Sequence, residues 1–70
     1  MFKYKTVVKK REFNGFTQEK LAALSGIRKE QISRLENGKI TNPTLLTLEK
    51  LALALQCKVS DLIDESIPTI

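Results

Sequence analysis

Glu30, Ser33, Arg34 and Asn37 recur at spacings of three and four, and Lys29 stands on their shoulder. A helix turning about 100° per residue puts them on one side and Ile32 and Leu35 on the other. Nothing apolar falls on the polar side. The chemistry available there is directional hydrogen bonding. Arginine or lysine can donate to guanine O6 and N7, and glutamate can accept from cytosine N4. Taken alone, the same pattern describes any solvated helix face. Other chemistry has few candidates. The chain has no histidine and one cysteine. No nucleophile–base pair, metal-ligand cluster or phosphate-binding glycine loop is visible, so neither an enzyme nor a metal or cofactor site is expected.

Two short helical stretches position that face. Residues 17–39 read T-Q-E-K-L-A-A-L-S-G-I-R-K-E-Q-I-S-R-L-E-N-G-K. Leu21 and Ala22 lie on the inner side of the first stretch, Ile32 and Leu35 on the inner side of the second. Ala22 has no bulk and can face a neighbouring backbone. Gly26, at the turn before Ile27, can take the left-handed conformation that ends a helix sharply. This is the layout of a helix-turn-helix, whose second helix enters the major groove of DNA.

The stretch resembles the phage repressor and Cro-type helix-turn-helix family. Gln18, Leu21-Ala22, Gly26 and the L-E-N-G-K run at residues 35–39 carry the resemblance, which continues through Pro43, Leu48, Leu51-Ala52 and Leu55 and back to Val7 and Arg11. It covers about residues 4–63. It implies an all-α, lambda-repressor-like domain of five helices, with the helix-turn-helix in the second and third, and double-stranded DNA as partner. Base contacts are implied for Lys29, Glu30 and Arg34, with Arg28 and Ser33 as further candidates. Glu30 has a second option, pairing with Lys29 or Arg34 to orient them. Phosphate contacts are implied for Gln18 at the start of the second helix, for Asn37 and Lys39, and for the loop with Thr41, Asn42 and Thr44. The plainer alternative makes Gln18 a helix-start residue and Asn37 a C-cap. Arg11 and Glu36 are implied to pair across the first and third helices; if both were solvated, the pair would be worth under about 1 kcal/mol.

Charge agrees with this placement. Residues 1–39 carry ten Lys and Arg against four Glu, whereas residues 40–70 carry two against four acidic groups. The basic excess thus belongs to the half that holds the motif, where it suits phosphate. Seventy residues allow one domain, expected over residues 1–64, with a disordered tail at 65–70 around Pro68. The start lacks a secretory signal and no apolar run is long enough to span a membrane, so a cytoplasmic protein is expected.

The first helix is expected over about residues 3–12, from the spacing of Tyr4, Val7, Val8 and Arg11, with Asn14-Gly15 as its stop. Phe13 and Phe16 bracket that turn and are expected in the core. Thr17 caps the second helix. The third runs from about Arg28 to Asn37-Gly38. Thr44 caps a fourth, whose buried stripe is expected to be Leu45, Leu48, Leu51, Ala52 and Leu55. A fifth is expected over about residues 59–64, although Lys58 stands where the family has Ser or Thr as cap. Cys57 stands where the family has valine and reads as a small buried hydrophobe.

The expected function is a sequence-specific transcriptional regulator, a repressor by class, bound as a homodimer to a pseudo-palindromic operator. The chain leaves no room for a separate dimerisation domain, so Leu46, Leu53, Val59 and Ile63 are the candidate dimer residues. The alternative is an antitoxin or protein-bridging module on the same fold.

Overall fold

The computed structural model describes residues 2–63. Four α-helices follow one another: α1, Tyr4–Phe13; α2, Gln18–Ser25; α3, Lys29–Glu36; and α4, Leu45–Leu55. A single 3₁₀ turn, Val59–Asp61, comes after them. α2 packs on both α3 and α4, and α1 closes the other side against the same two helices. Val7, Leu21, Ile32, Leu35, Leu51 and Leu62 are fully enclosed between them. No helix among the described residues is long and apolar enough to cross a membrane.

Local chemistry sets the helix ends. The Thr17 hydroxyl accepts from the Lys20 N–H at 3.0 Å, and the Thr44 hydroxyl accepts from the Thr47 N–H at 3.2 Å. Each takes up one of the N–H groups that a helix start leaves without an internal partner. Gly26 ends α2 in the left-handed region at φ 74°. Its N–H donates back to the Ala22 carbonyl at 2.9 Å. α4 ends without a glycine: Gln56 itself takes the left-handed conformation at φ 57°.

Gly38 is constrained twice. Its φ is +75°, and a Cβ there would stand 3.0 Å from the Tyr4 ring. At Gly26 the backbone strain is similar but a Cβ would meet nothing within 4 Å. Gly38→Ala is therefore expected to lose more stability than Gly26→Ala, by on the order of 1 kcal/mol, since only the first also overpacks a ring. Equal urea midpoints for the two variants would show that Tyr4 moves aside freely.

Three expectations change. Among the described residues four helices stand where five were expected. After Gln56, the Asp61 carboxylate accepts from the Lys58 N–H and the Asp61 N–H donates to the Lys58 carbonyl, both at 3.0 Å. This is a helix-start contact, but the turn goes no further: the Leu62 N–H donates to the Val59 carbonyl at 2.9 Å, Leu62 is buried in the core, and Ile63 leaves to bridge with Phe2. Phe13 is not a core residue: it is 91% exposed at the last position of α1, while Phe16 alone turns back to pack on the core. Leu45 does not join the buried stripe of α4. It is exposed, in the first turn, and burial begins at Leu48. The expected tail at 65–70 and the end of the expected fifth helix lie outside the described residues.

One contact has no local signature. Phe2 is buried and forms an isolated antiparallel bridge with Ile63, and the Lys3 N–H donates to the Leu62 carbonyl at 2.8 Å. Cys57 is half-buried beside the core. Burial pushes its thiol pKa up, with Lys10 lowering it and Asp61 raising it by smaller amounts. The thiol is held protonated at neutral pH, as a packing group rather than a nucleophile.

Candidate nucleic-acid interface

α3 has two faces with different work. Ile32, Leu35 and Glu36 are buried, whereas Lys29, Glu30, Gln31 and Arg34 are exposed and Ser33 is half-buried. Arg28 precedes the helix in extended conformation and offers no side-chain cap. The first N–H groups of α3 are thus left open to whatever lies in front of it.

Glu36 anchors the buried face. Its Oε2 accepts from Arg11 Nε at 2.7 Å, and its Oε1 from Arg11 Nη2 at 3.2 Å and Gln18 Nε2 at 2.9 Å. Arg11 Nη1 also donates to the Phe16 carbonyl at 2.8 Å. The carboxylate and its arginine together therefore tie α1, the turn after it, the start of α2 and the end of α3. The Glu36 side chain is 4% exposed and that of Arg11 15%. A paired, fork-shaped guanidinium suits so enclosed a carboxylate. The expected pair is present. The Gln18 donor was not expected from the sequence. A glutamine at a helix start reads as a surface residue, and its spacing gives no sign of a partner 18 positions on.

The exposed face of α3 forms two shallow depressions. Gln18, Lys29, Glu30, Ser33 and Arg34 line one, and Arg28, Glu30, Gln31, Arg34 and Ile40 line the other. All five candidate base-contact residues thus gather on one surface, and the start of α2 borders it. Gln31 joins them without having been singled out. Its signal was its spacing of three from both Arg28 and Arg34. Glu30 forms no ion pair among the described residues. Lys29 instead faces Glu19 of α2, Nζ to Oε2 3.8 Å.

The candidate phosphate contacts are less uniform. The Lys20 N–H is already taken by Thr17, which leaves the N–H groups of Gln18 and Glu19 at the head of α2. Asn37 Nδ2 points back to Ser33 Oγ at 3.4 Å, as a C-cap residue does. Lys39, Thr41 and Asn42 are exposed, and the Thr44 hydroxyl is engaged with Thr47. The four candidate dimer residues divide. Leu46 and Leu53 are exposed on α4, whereas Val59 and Ile63 pack partly against the core.

The profile of the helix-turn-helix family matches residues 8–62. The chain is 34% identical over 59 residues to the transcriptional regulator SinR of Bacillus subtilis, covering 84% of this chain and 53% of that protein. It is 44% identical over 55 residues to an uncharacterised helix-turn-helix regulator of Archaeoglobus fulgidus, 74% of this chain and 77% of that one. Among solved structures, the restriction-modification controller protein C.AhdI of Aeromonas hydrophila superposes with a TM-score of 0.80 at 32% identity, over 86% of this chain and 89% of that chain. SinR in complex with DNA superposes with a TM-score of 0.78 at 28% identity, over 80% and 89%. The chain spans about a third to a half of the length of the B. subtilis regulators it matches. That family is one of regulators rather than enzymes. On its sequence, its four-helix fold and the outward face of its third helix, the chain belongs to the Cro-like helix-turn-helix family of DNA-binding transcriptional regulators.

Proposed function

We propose that this chain is a sequence-specific repressor that binds a pseudo-palindromic operator as a homodimer, with α3 in the major groove. One observation carries the reading: Lys29, Glu30, Ser33 and Arg34 share one open polar surface with Gln18, at the start of α2. In that pose Arg34 and Lys29 donate to guanine, Glu30 accepts from cytosine, and Gln31 suits adenine N6 and N7. Arg28 and Ser33 are within the same surface as secondary contacts. The free N–H groups at the head of α2 meet one phosphate, and Asn37, Lys39, Thr41, Asn42 and Thr44 meet the next, so that these groups set register and α3 reads sequence.

Leu46 and Leu53 support the dimer. They are seven residues apart on α4, on one side of the helix, and both are exposed. A two-fold dimer would cover both at once and present two copies of α3 to successive major grooves. The half-site centres then lie about 34 Å apart, one helical turn. Selection of bound sequences from random duplex DNA should return paired, inverted half-sites at that spacing, and sedimentation should show two chains per duplex. A single unrepeated site occupied by one chain overturns the dimer.

Salt dependence separates anchors from readers. Each phosphate neutralised contributes about −0.9 to the slope of log K against log salt. Lys39→Gln should flatten the slope by up to about one unit per subunit, and Lys50→Gln, on the exposed side of α4, should leave it unchanged. If Lys50→Gln flattens it equally, the DNA surface is not the one assigned.

A further inference from the structure

Lys29 is the only cation on the outward face of α3 with a carboxylate beside it among the described residues. Its Nζ lies 3.8 Å from Oε2 of Glu19, across the helix-turn-helix. Arg28 and Arg34, on the same surface, have no such partner among the described residues. Both members of the pair are exposed, so the contact adds little to folding. Its effect falls on what Lys29 does next.

A lysine ammonium is a compact charge on a flexible stem, with three donors and no preferred plane. Left free beside DNA, it goes to the strongest anion in reach, which is a phosphate. A carboxylate partner changes that preference. Moving Lys29 onto a phosphate exchanges one anion for another, with little net gain. Donating to guanine O6 or N7 leaves Glu19 in place, because the remaining protons serve the neutral acceptor. Glu19 lies in the first turn of α2, where the helix dipole favours its charge.

We propose that Glu19 is a specificity-determining, positioning residue that withholds Lys29 from phosphates and presents it to a base edge. This rests on the reading that α3 enters the major groove. The test compares wild type, Glu19→Gln, Lys29→Ala and the double variant on a selected duplex and on random duplex DNA across a salt series. Glu19→Gln should raise affinity for random DNA and lower the selected-to-random ratio about two- to five-fold, the size of an exposed ion pair. The salt slope on random DNA should steepen by up to about one unit per subunit as Lys29 gains a phosphate. The folding midpoint should fall only slightly, by the lost charge–dipole contact, and equally with Lys29 absent, which separates positioning from a structural role. In the Lys29→Ala background Glu19→Gln should leave the ratio unchanged. An unchanged ratio in the single variant overturns the proposal, and so does an equal fall with Lys29 absent, because the charge then acts without it. Failure of the wild type itself to bind any duplex removes the functional reading beneath.

Discussion

Arg11→Ala is expected to remove about 3–5 kcal/mol of folding stability, the usual consequence of stranding a buried charge. Glu36 is left as an almost fully enclosed carboxylate at the last residue of α3, where the helix dipole disfavours an anion. The Gln18 amide remains at 2.9 Å, but it is neutral and supplies one hydrogen bond. The Phe16 carbonyl loses its guanidinium donor as well. A domain of this size has a total stability of roughly 3–9 kcal/mol, so this one change takes a large share of it. Arg11→Met combined with Glu36→Met should recover much of the loss, because no charge is then buried and the volumes are kept. Urea unfolding of the two variants is the measurement. A midpoint for Arg11→Ala within error of wild type would mean that water already solvates the pair.

The second large effect is on base preference. Arg34→Ala and Lys29→Ala should each cost about 1–3 kcal/mol on the selected duplex and little on random DNA. Both residues are exposed, so folding should change by no more than about 0.5 kcal/mol. Selection repeated with each variant should relax one symmetric pair of positions in the site. Equal losses on selected and random duplexes would reassign both residues to the phosphate backbone.

How much of this was legible depended on the distance over which each residue's partner lies. Thr17, Gly26 and Thr44 bound their helices as expected, because a cap satisfies backbone groups within four residues of itself. The outward face of α3 follows from helical spacing alone. Arg11 and Glu36 were paired by family resemblance; nothing in their spacing announces a contact across 25 positions. Phe13 and Leu45 were misplaced for a common reason. Each lies at a helix end, where periodicity says which way a side chain points but not whether a neighbouring helix extends far enough to cover it. The fifth helix failed on a distant contact: the Leu62 carbonyl accepts from the Lys3 N–H and Ile63 bridges with Phe2. Phe2 could not be found at all, since its partner Ile63 stands at the opposite end of the described chain. Gln18 reads as a phosphate contact or a helix-start residue and Glu19 as a solvated one, yet one turns inward to Glu36 and the other across to Lys29.

The division of α3 into an anchored side and an open one has a consequence for descent. Ile32, Leu35 and Glu36 hold the helix in its socket, and drift at any of them is paid for by the whole domain. Lys29, Glu30, Gln31 and Arg34 carry no such debt to the fold. On the proposed reading, a lineage can therefore rewrite its address on the genome one exposed residue at a time, each intermediate still folding. Duplicate copies of such a chain are free to part company in target long before they part company in shape.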